Sequence, residues 1–357
     1  MLLYIGLTVM VTAMALMIKE NCIKGTKQAA LNRLTAGFIF IALFMVSAMR
    51  LAIGNDYWVY KLNFDEIAEG NVGILAYEFG FNGIVALMQF IFGKNCYLLI
   101  FALFAFITVF FFVKAIGKQS EWYAFSLFLL LANGFYFSSL NSVRYYVAFA
   151  IALYSMRYVI EKQHLKFILT IIAASLIHKT VLIVIPIYYL CRIRWRKEFL
   201  ALLSAFGLSL VLFKNFYRKI IFLFYPFYRG SAFDNNRVSY VNIAKAAAIV
   251  VLCIIFYKQC IKDDIKNTFY FNLNVLALIV YACCSFVPEY TRLGYYMSAS
   301  HIFLVPSVLK RIPDKRKRIF FSAVTALCYA AYFALFLRSC YDNNIRLLPY
   351  YSWLFMT

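Results

Sequence analysis

Apolar runs of near twenty residues, parted by short polar stretches, recur along the whole chain. At 1.5 Å of rise per helical residue, such a run crosses a hydrocarbon layer of ~30 Å. The runs are continuous rather than alternating, so they fit spanning helices and not the strands of a transmembrane barrel. The pattern predicts spans over about 2–18, 34–53, 97–113, 122–140, 143–160, 199–213, 241–257, 271–287, 293–309 and 319–337. Two further apolar elements do not fit a simple span. Residues 79–92 are too short to cross comfortably and read as a re-entrant or interfacial helix. Residues 167–190 form either one span or a hairpin of two half-helices turning at His178 and Lys179. The expected fold is therefore all-α: a polytopic helical membrane protein with about ten transmembrane spans plus two re-entrant or half-helix elements, one integral membrane domain over residues 1–357.

Composition agrees. The 357 residues are 64% hydrophobic and only 14% charged, against about a quarter charged in soluble domains. The net charge of +21 does not point to nucleic acid, because the basic residues sit in short clusters between apolar runs. Clusters of that kind mark cytoplasmic loops. On that rule 22 of the 36 lysines and arginines are cytoplasmic and both termini lie outside. The loop 54–78 is acidic, with Asp56, Asp65, Glu66, Glu69 and Glu78 against Lys61, and suits the outer face. Basic flanks on both sides of 167–190 favour the hairpin there, with His178 near mid-depth. A rival topology makes both short elements true spans and inverts 114–166. The opening 18 residues lack a basic n-region and read as a first span, not a cleaved signal. The nine cysteines are scattered with no CxxC pair, so neither zinc nor a disulfide framework is indicated.

Basic residues left on the outer side carry more information than those explained by orientation. Arg144 opens an apolar helix with no acid near it in sequence, and His178 and Lys179 interrupt another apolar run. Ionisable groups in such segments are costly, which marks them as functional candidates beside a structural pairing. The outer loop 214–240 carries Lys214, Arg218, Lys219, Arg229 and Arg237 against Asp234. Guanidinium forks there match the oxygens of a lipid diphosphate or an anionic glycan, and anchoring to lipid headgroups is the competing account. In the stretch Arg50…Asp56-Tyr57…Tyr60 an arginine meets a carboxylate and aromatics, and Asp56 and Tyr60 share a face if helical. Aromatics beside carboxylates suit sugar rings, and Asp56 could accept a hydroxyl proton. An Arg50–Asp56 structural pair is the alternative. Glu289 and Arg292 stand at i, i+3, where they bind substrate or simply pair. Ala148 and Ala152 form a small-xxx-small pattern that reads as helix packing. Neither a Walker loop nor a dinucleotide fingerprint occurs, and no spaced acidic motif suggests a metal-bound nucleotide sugar. A donor on a lipid carrier fits better.

Several segments, taken in order, resemble the EpsG family of Wzy-like proteins from bacterial exopolysaccharide, capsule and O-antigen loci. They are Arg50…Gly54-Asn-Asp56-Tyr57…Tyr60, Glu78-Phe-Gly-Phe81, Asn141-Ser-Val-Arg144…Ala148, Ala174-Ser-Leu-Ile-His178-Lys-Thr, Arg292…Tyr296 and Leu348-Pro349-Tyr350-Tyr351-Ser352. Asn141 and Tyr145 stand where glutamines are common, and neither departure removes a charge. The resemblance implies a polysaccharide polymerase of the bacterial cytoplasmic membrane, and admits a GT-C-like architecture. It would transfer a growing glycan from undecaprenyl diphosphate to a new lipid-linked repeat unit, with no cofactor or metal required. Asp56, His178 and Arg144 are the implied catalytic residues. Arg50, Tyr57, Tyr60, Arg292 and Tyr296 are the implied contacts to diphosphate or glycan, and Arg229, Arg237 and Glu289 join them on the charge pattern of their own stretches. The implied partners are undecaprenyl-diphosphate-linked oligosaccharides, membrane lipids, a chain-length co-polymerase and a flippase, with no nucleic acid. Rival classes are a flippase for the same lipid-linked glycan, a membrane acyltransferase, and a non-catalytic scaffold. The acyltransferase lacks a second histidine motif, since His164 lies in a cytoplasmic loop and His301 is isolated in a late span.

Overall fold

The computed structural model describes residues 1–20, 25–71, 78–231 and 233–355. Lys24, Cys22 and part of the acidic loop (72–77) lie outside the described residues. The chain is all-helical. Among the described residues the strand-like pairing is a single isolated bridge between Arg50 and Ser352. Two compact units form, Met1–Ile185 with Pro313–Thr357, and Pro186–Ile312.

The first unit holds α1 (Leu2–Leu16), α2 (Lys27–Ala48), α3 (Tyr57–Ala68), α4 (Phe79–Phe92), α5 (Tyr97–Gln119), α6 (Tyr123–Ala132), α7 (Phe135–Ser138), α8 (Val143–Ile160) and α9 (His164–Ser175). Its centre is α8, buried nearly all round against α5 and α9. Along α5 the buried residues Ile100, Phe104, Thr108, Phe112 and Ala115 recur at three- and four-residue spacing and form one stripe, from which Phe112 meets Phe149 of α8. Ala148 and Ala152 have no exposure, consistent with close helix packing where lipid removes the hydrophobic drive for association. Thr26 opens α2 by accepting the Ala29 N–H at 3.2 Å.

After α9 the helix breaks at 176–178, a 3₁₀ turn spans Lys179–Ile183, and α10 (Val184–Arg192) leads into the second unit. The 167–190 run is therefore broken at His178, not a continuous span. α4 has 14 residues, about 21 Å of helix, short of a full crossing as its length foretold.

The second unit holds α11 (Lys197–Leu212), α12 (Lys214–Phe224), α13 (Tyr240–Ile255), α14 (Tyr257–Cys260), α15 (Ile265–Cys283), α16 (Tyr290–Ser298) and α17 (His301–Arg311). α15 lies against α11, α13, α16 and α17. It buries a polar row, each member bonded to a backbone carbonyl. Asn267 donates to Cys260 at 2.8 Å, Asn272 to Cys191 at 2.9 Å and Asn274 to Ala246 at 3.1 Å. In an apolar surround these bonds fix which helices meet. His301 bonds to the side chain of Asn274, so it has a packing partner within the helix bundle. α18 (Lys315–Ser339) returns to the first unit, opened by Asp314, which accepts the Arg316 N–H at 2.7 Å.

Three described helices are long and apolar enough to cross a membrane: α2, α5 and α18. The bent pair α11–α12, with 84° between its halves, makes a fourth if taken as one span. Other expected spans are present in pieces. The 122–140 run is α6 and α7, parted at Asn133 and Gly134, and the 293–309 run falls to α16 and α17, parted at Ala299 and Ser300. Residues 214–240, expected as loop, open with a helix, because Phe216, Ile220 and Leu223 recur at helical spacing.

Candidate functional site

In the first unit, three stretches distant in sequence meet at one carboxylate. Glu78 stands just before α4, Arg144 is the second residue of α8, and His178 occupies the break after α9. Arg144 Nη1 is hydrogen-bonded and ion-paired to Glu78 Oε2. His178 Nδ1 lies 3.0 Å from Glu78 Oε1. The carboxylate therefore bridges a guanidinium and an imidazole. Burial opposes its negative charge, but the His178 hydrogen bond and the Arg144 charge outweigh burial, and its pKa falls below the ordinary glutamate value. The cluster is only partly covered, with 24% of the Arg144 side chain exposed, which leaves room for a ligand to reach it.

Backbone contact explains why these residues meet. The Gly80 N–H donates to the Leu176 carbonyl at 2.9 Å. A Cβ on Gly80 would sit 2.5 Å from Leu176 Cβ, so only glycine lets the start of α4 cross the end of α9 this closely. Glu78 and His178 each lie two residues from that crossing.

Asp56 and Tyr60 enter from α3. Asp56 Oδ2 accepts from Ser142 Oγ at 3.1 Å, and the Asp56 N–H donates to Asn141 Oδ1 at 2.9 Å. The Tyr60 hydroxyl accepts the Arg144 N–H at 3.3 Å, and its ring lies 5.5 Å from the guanidinium carbon. The shared face expected of these two residues is thus turned to the start of α8. Gly54 has φ +89°, and a Cβ there would meet Asn141 at 2.8 Å, so this approach also requires glycine. His178 packs edge-on against Tyr145, with ring centroids 5.8 Å apart. Asp56, Tyr60, Arg144 and His178 are therefore neighbours.

Arg50 and Tyr57 sit elsewhere, in the core beneath. Arg50 is 1% exposed, donates to the Ser47 carbonyl at 2.6 Å and lies 4.8 Å from the Phe101 ring centroid. Tyr57 stacks on the same ring at 4.6 Å. Among the described residues no ion pair joins Arg50 to Asp56, because Asp56 turns to Ser142.

The remaining candidates belong to the second unit. Glu289 accepts from Arg292 Nε at 2.7 Å, the i, i+3 pair its spacing suggested. Tyr290 lies at the start of α16 and its hydroxyl donates to the Arg237 carbonyl at 3.0 Å. Tyr296 is buried, and its backbone carbonyl accepts from the Tyr188 hydroxyl at 3.1 Å. Arg229 lines a separate cavity with Arg218 and Asp234.

One family model, that of the EpsG family, matches the chain over residues 33–352. The chain belongs to the EpsG family. This EpsG-family chain is accordingly a membrane protein of polysaccharide biosynthesis. No curated protein and no solved structure matches it. The matched stretch takes in the whole of the Arg144–Glu78–His178 cluster. Glu78 is the residue that sequence reasoning left out of the site. Its signal was present: an acid ends the outer loop immediately before a glycine-spaced apolar helix, opposite an arginine that lacked a local partner.

Proposed function

We propose that this EpsG-family protein is a polysaccharide polymerase. It joins oligosaccharide repeat units carried on undecaprenyl diphosphate at the outer face of the bacterial cytoplasmic membrane. The observation that carries the reading is the charge-coupled cluster of Arg144, Glu78 and His178, with Asp56 and Ser142 beside it. Glycan transfer from a lipid diphosphate needs a base for the acceptor hydroxyl and cations for the departing diphosphate. The acceptor oxygen forms a bond to the anomeric carbon of the donor. The bond from that carbon to the diphosphate oxygen breaks, and the electron pair leaves with the diphosphate.

Within the cluster, Glu78 orients the His178 ring through Nδ1, which leaves Nε2 to take the acceptor proton. Arg144 keeps donor groups beyond the one given to Glu78, and these face the developing diphosphate charge. Asp56 holds the acceptor sugar through its free carboxylate oxygen, and Tyr60 supports the guanidinium from below. Taken by itself, the second unit offers polar groups of the kind that bind glycans in the Glu289–Arg292 pair and in Arg237 near Tyr290.

The test is made on purified protein in nanodiscs. The cognate undecaprenyl-diphosphate-linked repeat unit is added with EDTA, and products are resolved by size. A ladder with release of undecaprenyl diphosphate is expected, because the carrier is already a good leaving group. Folded protein that yields no ladder from verified substrate overturns the reading, and translocation of the same lipid in liposomes then becomes the activity to measure.

A further inference from the structure

Arg50 follows the end of α2 and lies wholly inside the first unit. A guanidinium does not shed its proton in a protein, so burial leaves a full positive charge in an apolar surround. Such a charge is stable where an opposite charge and hydrogen bonds offset the lost water. Among the described residues Arg50 has little of either. Nη1 donates to the Ser47 carbonyl, and Nε has no acceptor. The Phe101 ring face offsets only part of the charge. The side chains that attract the guanidinium are the phenols of Tyr57, Tyr350, Tyr136 and Tyr4, with no carboxylate among them. Three of those hydroxyl protons are already committed: Tyr4 donates to the Leu347 carbonyl at 2.9 Å, Tyr136 to Leu43 at 2.6 Å and Tyr350 to Val46 at 2.9 Å.

Tyr57 is different. It acts on Arg50 more strongly than the other three phenols do, and both residues rest on the Phe101 ring. Its hydroxyl is buried, and the hydroxyl proton has no acceptor. The Ala52 amide, a further donor, faces the same hydroxyl. Ala52 holds φ +53°, a costly conformation for a residue with a Cβ, so the turn keeps that amide in place against strain. Donors therefore gather around a cation at the point where charge balance calls for an acceptor.

We infer that a monovalent anion of the size of chloride or bromide binds between Arg50 Nε and the Tyr57 hydroxyl. A halide supplies the missing unit of negative charge and accepts from both donors, whereas a water molecule supplies a dipole without charge. Arg50 and Tyr57 are each 1% exposed, which excludes a sugar or a diphosphate from this position. Tyr57 directly follows Asp56, so the bound anion braces the turn that sets Asp56 against Ser142. The inference concerns ion binding alone and holds whether or not the protein polymerises glycans.

The protein is melted in phosphatidylcholine nanodiscs in sodium gluconate, chloride or bromide at one ionic strength. An anion bound only by the folded chain stabilises it with the logarithm of its concentration, so each tenfold rise in halide above the dissociation constant should add about 2 °C to the melting temperature. Gluconate, too large for the site, should leave melting unchanged. Tyr57→Phe keeps the stack on Phe101 and removes one donor, and should raise the chloride concentration at which the rise begins at least fivefold. In bromide-soaked wild-type crystals, anomalous scattering should place a peak beside Arg50 and Tyr57. Equal melting in all three salts overturns the inference and leaves water at the two donors. An unaltered chloride response in Tyr57→Phe also overturns it, because the halide then binds elsewhere. If Tyr57→Phe does not fold, the wild-type bromide peak decides: a peak at Arg50 upholds the inference, and its absence at saturating bromide overturns it.

Discussion

Replacing Glu78 by glutamine keeps the shape of the side chain and removes the charge that both Arg144 and His178 share. The glutamine oxygen can accept from one of the two. Its NH₂ then faces the other, so a donor meets a donor. Hydrogen bonds to charged groups contribute about 1.5–3 kcal/mol each. Arg144 and His178 are 24% and 18% exposed, so solvent screening argues for the lower end, roughly 1.5 kcal/mol for each contact. If both contacts position the reacting groups, about 3 kcal/mol of transition-state stabilisation is lost, on the order of a hundredfold in rate. The assay is the rate of ladder formation, with thermal melting beside it to separate chemistry from folding. The acid limb gives a second reading. The Glu78 pKa is lowered from 4.5, so its contribution to stability is complete above that value and is lost as pH falls through the lower folded pKa. Glu78→Gln should flatten that acid-side loss. A variant with a ladder rate within about twofold of wild type and the same acid unfolding would refute the bridge as the organising contact.

Arg144→Lys keeps the charge but loses the planar fork, so it should retain Glu78 pairing and melting while losing at least tenfold in ladder rate; kinetics on the purified variant decides. Gly80→Val places side-chain atoms where Leu176 already lies and should lower the melting temperature, with a destabilisation of roughly 1–3 kcal/mol and loss of the ladder. Ser142→Ala removes one hydrogen bond to Asp56 and should raise KM for the acceptor lipid several-fold with folding intact, read from initial rates. Arg50→Leu should change melting far more than lipid binding, because Arg50 lies in the aromatic core; a calorimetric scan and a lipid titration separate the two.

Hydropathy located the long helices well, because α2, α5 and α18 carry uninterrupted apolar sequence that solvent could not tolerate. It also marked the break at His178, since a histidine and a lysine interrupt that run. The breaks at Gly134 and Ser300 passed unseen, because one small residue scarcely alters an average taken over twenty positions. Asp56, Tyr60, Arg144 and His178 were identified individually from cost and chemistry. Their meeting point was not legible: Glu78 lies 66 residues from Arg144 and 100 from His178, and it is the Gly80–Leu176 crossing that brings Glu78 to His178. The α12 helix was hidden for a different reason. Its amphipathic period is masked by the cations that also made the segment look like a loop.

The closing residues of the chain pair with the stretch just before α3. Gly54 N–H donates to the Arg346 carbonyl at 2.8 Å, Leu51 to Tyr351 at 3.0 Å and Trp353 to Met49 at 3.2 Å. Synthesis proceeds from the amino end, so none of these bonds can form until residues 346–353 have emerged from the ribosome. The turn that sets Asp56 against Ser142 is consequently fastened only after α1 to α18 have been made. A chain arrested before Arg346 would carry every charged residue of the cluster while its aspartate stood on an unfastened turn.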